Sequence, residues 1–120
     1  MAIVGVHMLL YTPEAAEARA VLRDAFGWDY VEDPASGPGW LIFRLPPAEV
    51  GVHPTEGSTA HEMCLMCDDI ESTMTDLRRK GVEFRGEPTT ESFGVVVTML
   101  LPGGLELLLY EPTHESPLSI

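Results

Sequence analysis

The sequence predicts an α+β domain assembled from two copies of a strand–helix–three-strand unit, and three observations carry that expectation. Landmarks recur at a nearly constant offset: His7 falls on His61, and Gly27-Trp28-Asp29-Tyr30 falls on Gly81-Val82-Glu83-Phe84, both 54 residues on. Glu49 falls on Glu106 at 57, with the slack taken up in turns. In each half, strand-like apolar runs and helix-spaced apolar residues follow one another in the order βαβββ. The chain has 120 residues, of which 45% are hydrophobic, which suits one core and leaves no room for two independent domains. One such unit leaves a sheet face bare, and pairing two units buries it.

Taken in order, Ile3 to Tyr11 is apolar or β-branched around His7 and reads as a buried strand. Thr12 is placed to cap a helix with Pro13 at its first position, and Glu14 and Glu17 suit its positive end. Ala18, Val21, Leu22 and Ala25 keep helical spacing until Gly27. Trp28 to Val31 is a short strand, Asp33 to Gly39 a turn, and Trp40 to Leu45 a strand again. Pro46-Pro47 breaks the chain before a fourth strand, Glu49 to His53, and Pro54 to Thr59 is a polar linker. In the second half, His61 to Cys67 is a strand and Asp68-Asp69 supplies a helix cap. Ile70, Met74 and Leu77 mark one helix face before Gly81. Strands follow at Val82 to Phe84, Val95 to Leu101 and Leu105 to Tyr110, with turns at Gly86 to Thr90 and Pro102 to Gly104. The expected division is a first module over 1–54, a second over 60–112, and a loose tail over 113–120.

Seven Lys and Arg against 19 Asp and Glu give a net charge of −12. Phosphate backbones and anionic lipids repel such a surface, which argues against nucleic acid and membrane partners and suits cationic small molecules. No apolar run approaches the ~20 residues of a bilayer span. The apolar start lacks a basic leader and a small-residue cleavage site, so it is read as a strand and not a signal peptide. Two cysteines without a framework of spacings suggest a reducing compartment, the cytoplasm.

His61 to Ile70 (HEMCLMCDDI), a following helix and Lys80 to Phe84 (KGVEF) resemble the second module of the vicinal oxygen chelate superfamily. This is the group of glyoxalase I, bleomycin-resistance proteins and extradiol dioxygenases. Pro102 to Leu107 (PGGLEL) resembles the turn and last strand of that module, and Gly5-Val6-His7 and Phe26-Gly27-Trp28 resemble the matching signposts of the first. The resemblance covers residues 3 to about 112. It implies two βαβββ modules curved into a mixed-sheet cup. In metal-dependent members, first and fourth strands of two modules hold one divalent ion.

Carried over, those ligand positions are His7, Glu49, His61 and Glu106, with Glu106 also the candidate catalytic residue. Two imidazoles with carboxylates suit Fe, Mn, Ni, Co or Zn and leave positions open for a substrate's adjacent oxygens. Two departures stand out. The last strand enters through Pro-Gly-Gly where members often carry Pro-Asp-Gly, and His53 rivals Glu49. Those two lie on one strand face but roughly 13 Å apart, so both cannot ligate one ion. The match to Glu106 favours Glu49, and imidazole's ligand preference favours His53.

Simpler readings stand beside these. A histidine in a strand is usually satisfied by a backbone carbonyl; two at equivalent repeat positions raise the weight of ligation. Glu106, between Leu105 and Leu107, would need a cation or hydrogen-bond partner in a covered strand. Glu49 after Pro46-Pro47-Ala48 would equally suit an exposed strand start. Cys64 and Cys67 form a C-x-x-C, yet residues three apart in a strand face opposite ways, so they read as core. Glu62 should face away from His61 and reads as structural. Trp28, Tyr30, Trp40, Phe43 and Phe93 read mostly as core, Tyr11 and Tyr110 as possible cup lining, and His114 carries no assignment.

The first expectation is thus a metal-dependent lyase, isomerase or dioxygenase acting on a small molecule with vicinal oxygens. The alternative is a metal-free protein that sequesters a small molecule, as bleomycin-resistance proteins do. The relatives' habits imply a homodimer, with modules either swapped or packed side by side.

Overall fold

The structure, a computed structural model, describes residues 2–119. Met1, at the start of the expected first module, and Ile120, at the end of the expected tail, lie outside the described residues. The architecture is α+β, as expected, and the second half forms the complete unit.

Strand β3 (Cys64–Met66) leads into helix α2 (Ile70–Arg79), followed by β4 (Glu83–Glu91), β5 (Gly94–Leu101) and β6 (Leu105–Pro112). The sheet order is β3-β6-β5-β4, with β3 parallel to β6 and the other pairs antiparallel. Asp69 caps α2 through the Ser72 amide at 3.0 Å, and Glu111 of β6 accepts the Ile70 amide at 2.9 Å. Gly81 ends α2 at φ +90°, a conformation that glycine adopts without a side-chain penalty. The α2 stripe Ile70, Met74 and Leu77 then buries against Val97, Met99, Leu101, Leu107 and Leu109 on one sheet face. Met99 is 0% exposed and sits at the centre of this core.

The first half is only partly built. Helix α1 (Ala15–Ala20) runs into a π-helical turn (Val21–Ala25) and stops at Gly27, φ +71°. Its Ala25, with Val21, Leu22 and Phe26, joins the core of the second half. The Thr12 hydroxyl accepts the Glu14 amide at 3.2 Å just ahead of α1 and donates to the Pro102 carbonyl at 2.8 Å, which pins the helix start to the β5–β6 turn. Strands β1 (Tyr30–Glu32) and β2 (Leu41–Phe43) form a hairpin.

Four expectations need correction. Ile3 to Tyr11 and Glu49 to His53 join no sheet within the chain, although β3 keeps a free edge. Val4 is 98% and Val52 96% exposed. The radius of gyration, 15.5 Å, accordingly exceeds the ~13.6 Å of a compact domain of this length. Gly86 to Thr90 is no turn: β4 runs through it with a register shift between Arg85 and Thr89, and the reversal comes at Ser92-Phe93. The tail is tied down: Thr113 donates its amide to the Phe93 carbonyl at 3.0 Å, and Ser116 bonds to Glu49. Among the described residues, no helix is long and apolar enough to cross a membrane.

Candidate functional site

Helix α2 covers one face of the four-stranded sheet, and the other face is open. Register settles which side chains stand there: Glu106 lies beside Leu100, Leu108 beside Thr98, Tyr110 beside Val96, and Arg85 beside Thr98. On β3, Cys64 and Met66 lie beside Leu108 and Tyr110, on the same open face. Next to this face an open cavity of about 1370 Å³ runs along the free edge of β3. Its far wall is the unpaired segment from Leu45 to Pro54, and Phe93, Tyr110 and His114 close one end.

The four expected ligands do not converge within one chain. His7 and His61 are exposed and outside the sheets. Glu106 is exposed rather than covered on both sides, and Arg85 donates to both its oxygens, Nη1 to Oε1 at 3.0 Å and Nη2 to Oε2. Those hydrogen bonds hold the Glu106 carboxyl below the usual carboxylate range. Glu49 is half-buried, 19% exposed, and its Oε1 accepts from the Ser116 hydroxyl at 2.5 Å. His53 turns its Nδ1 to the Pro54 carbonyl at 2.7 Å. Among the described residues, no three His, Cys, Asp or Glu gather to hold a metal. The donor set of a single chain therefore does not fit a divalent ion.

The structure groups other residues that the sequence left aside. Glu62 sits with Cys64, whose Sγ lies 3.9 Å from its Oε1. Two residues before Cys64, it continues the open face, whereas His61 is one step out of phase with it. Counting the strand's alternation back from Cys64 is the signal that would have found Glu62. Tyr110 lines the cavity, as allowed for, while Tyr11 is exposed. The Tyr110 hydroxyl and His114 Nε2 are 3.1 Å apart, and His114 Nδ1 is 2.7 Å from the Glu115 carbonyl. A carbonyl only accepts, so Nδ1 carries a proton, and in the neutral ring Nε2 then accepts from the phenol. Burial pushes the Tyr110 pKa up, and the nearby Glu49 charge adds to it, so the phenol stays protonated. No periodicity in the sequence marks His114 or Ser116, because the tail is neither helix nor strand where they lie. Cys64 and Cys67 are free thiols, both pushed up mainly by burial, and they form no redox pair.

This geometry has counterparts. The antibiotic-binding protein TnmS3 from Streptomyces sp. CB03234 is similar at 23% identity and TM-score 0.65, covering 94% of this chain and 99% of that one. A lactoylglutathione lyase from Agrobacterium tumefaciens is similar at 18% identity and TM-score 0.63, covering 90% and 92%. The fosfomycin resistance protein FosX from Listeria monocytogenes is similar at 15% identity and TM-score 0.61, covering 99% and 98%. At such identities the likeness speaks for the fold alone. No curated protein matches the sequence. The family model of the Glyoxalase/Bleomycin resistance protein/Dioxygenase superfamily matches residues 6–115, nearly the whole chain, and the chain belongs to this superfamily.

Proposed function

We propose that this protein binds a small organic molecule in the cavity beside β3 and holds it without chemistry. The observation that carries the reading is that both oxygens of Glu106 and one of Glu49 are already bonded within the chain. Arg85 takes Glu106, and Ser116 takes Glu49. The cavity, which Glu49 lines and Glu106 does not, has largely apolar and aromatic walls, with Trp28, Met66, Phe93 and Tyr110 among them, as in sites for drug-sized ligands. The likeness to an antibiotic-binding protein agrees with it.

The binding unit is a homodimer in this reading. Ile3 to Tyr11 and Glu49 to His53 carry exposed apolar side chains, and β3 has a free edge beside the cavity. A second copy that lends its Ile3–Tyr11 strand to that edge would bury both and wall the open face into a cup. The polar corner at Tyr110 then remains the ligand end. Two free thiols suit a cytoplasmic setting.

The test is a titration of acridine, a flat and largely neutral probe, followed by quenching of tryptophan fluorescence with and without EDTA. Saturable quenching that ignores the chelator supports the reading; absence of binding, or its loss in EDTA, sinks it.

A metal-dependent lyase, isomerase or dioxygenase is the second reading, because one observation favours it. His7 and His61 are exposed and make no hydrogen bond to the described residues, which leaves both imidazoles free if two chains bring them together. With Glu49 and Glu106 they would hold a divalent ion that acts as a Lewis acid. Metal near one equivalent per chain in protein purified without chelator, lost in His61→Ala, would restore this reading.

A further inference from the structure

We propose that Tyr110, His114 and Glu49 form a recognition corner in this cavity that takes a protonated amine carried on a flat, apolar ligand. The proposal rests on the ligand-binding reading and names the chemistry of its ligand.

The tail builds the corner. After β6 the chain folds back over the end of the sheet, bringing the His114 ring within 6.0 Å of the Tyr110 ring and the Ser116 hydroxyl onto Glu49. Each hydrogen here is already spent. His114 Nδ1–H goes to the Glu115 carbonyl, Tyr110 O–H to His114 Nε2, and Ser116 O–H to Glu49 Oε1. What remains are acceptors. The Tyr110 oxygen keeps acceptor capacity beyond the hydrogen it donates, and Glu49 Oε2 lies 3.8 Å from His114 Nε2, too far to bond, facing an atom that in the neutral ring is itself an acceptor.

A half-buried carboxylate oxygen without a donor calls for one, and a cation is the strongest available. Among the described residues lining the cavity, the one Lys or Arg is Lys80, already held 3.4 Å from both Asp76 and the Ala25 carbonyl. Glu62 adds a further negative charge to the lining. An ammonium group has three donors and no acceptor, which complements this corner. The Phe93 and Tyr110 rings, edge to face at 5.5 Å, offer aromatic surface to the cation and to the flat body behind it. The net charge of −12 steers cations toward the protein.

Three probes of one ring shape test this on the full chain: 9-aminoacridine, a cation at neutral pH; acridine; and acridine-9-carboxylate, an anion. Isothermal titration calorimetry should show the cation binding about tenfold more tightly than acridine, and the anion more weakly than either. Glu49→Gln should remove about tenfold of the cation's affinity and leave that of acridine unchanged. Tyr110→Phe should cost the cation a few-fold, since it removes one acceptor and keeps the ring, and it reads the same corner if Glu49→Gln does not fold. Glu71→Gln makes the same charge change on an exposed position of α2 and should alter nothing. Equal binding of all three probes, or preference for the anion, would remove this corner and leave the cavity reading standing. An equal loss in Glu71→Gln would assign the preference to overall charge and overturn the site. Binding by no probe would remove both readings.

Discussion

Arg85 on β4 reaches across the whole width of β5 to grip Glu106 on β6 with two nitrogens, and both side chains stand on the uncovered face of the sheet. The two outer strands are thus tied over the middle one by a bidentate pair. The hydrogen bonds from Arg85 hold Glu106 below its ordinary range. A carboxylate depressed in the folded state adds stability above its unfolded pKa and loses it as pH falls through the folded one. Arg85→Gln should therefore move the Glu106 titration, followed by NMR of its carboxyl carbon, up to ordinary values. High salt should produce part of the same shift in the unaltered chain, because the pair is exposed to screening.

The core of the second half should tolerate loss poorly. Met99 is fully buried on β5 beneath α2, where Met74, at 1% exposure, meets the same cluster. Met99→Ala should cost about 2–5 kcal/mol in urea denaturation, through lost burial and the cavity left behind. A cost below about 1 kcal/mol would mean that the sheet and helix collapse onto the gap.

The exposed strands give the dimer a direct test. Charges on Ile3 to Tyr11 are harmless if that strand stays in water, and costly if a second copy covers it. Val4→Lys with Val6→Lys should convert a dimer to a monomer in light scattering at micromolar concentration, with α2 and its sheet still folded. An unaltered mass for the double variant, or a monomer before substitution, would refute the pairing.

What the sequence revealed follows from which signals are local. The helix ends at Gly27 and Gly81 were legible because a left-handed residue is a local demand that glycine meets. The Ile70–Met74–Leu77 stripe was legible because helical spacing encodes its own buried face. Strand-like alternation in Ile3 to Tyr11 was equally clear, but a strand needs an edge to pair with, and the sequence of one chain does not say which chain supplies it. Within one chain the four ligand positions stay apart for a related reason. The repeat matches His7 to His61 and Glu49 to Glu106 but carries no information on phase: Glu62, two residues ahead of β3, is the one that sits with Cys64 on the open face. The partners Arg85 and Ser116 were invisible because they are distant in sequence from the carboxylates they hold.

Gly103 marks where the two halves of the chain are fastened. It sits at φ +81°, and a Cβ there would collide with the Thr12 hydroxyl that bonds to Pro102. Gly103→Ala thus meets both backbone strain and a clash, and should destabilise the chain by more than about 1 kcal/mol. Thr12→Ala in the same chain should relieve the clash but not the strain. A double variant less stable than Gly103→Ala alone would show that the hydroxyl bond outweighs the clash.

The Cys64 thiol reports on the open face directly. Burial pushes its pKa above the ordinary thiol value, and the Glu62 charge beside it pushes further in the same direction. The thiolate is the reactive form, so iodoacetamide should react slowly near neutral pH, with a rate that climbs to a midpoint above that of a free cysteine. Glu62→Gln should bring the midpoint down by the part that charge supplies and leave the part due to burial. Cys67, with its Sγ 3.5 Å from the Tyr110 carbonyl and facing away from the open side, should not respond to Glu62→Gln. If a second copy lays a strand along β3, alkylation of Cys64 should also slow as protein concentration rises, and the Val4→Lys, Val6→Lys chain should lose that dependence. A Cys64 rate indifferent to Glu62, to concentration and to those lysines would place its side chain somewhere other than the face described, and the register of β3 on β6 with it.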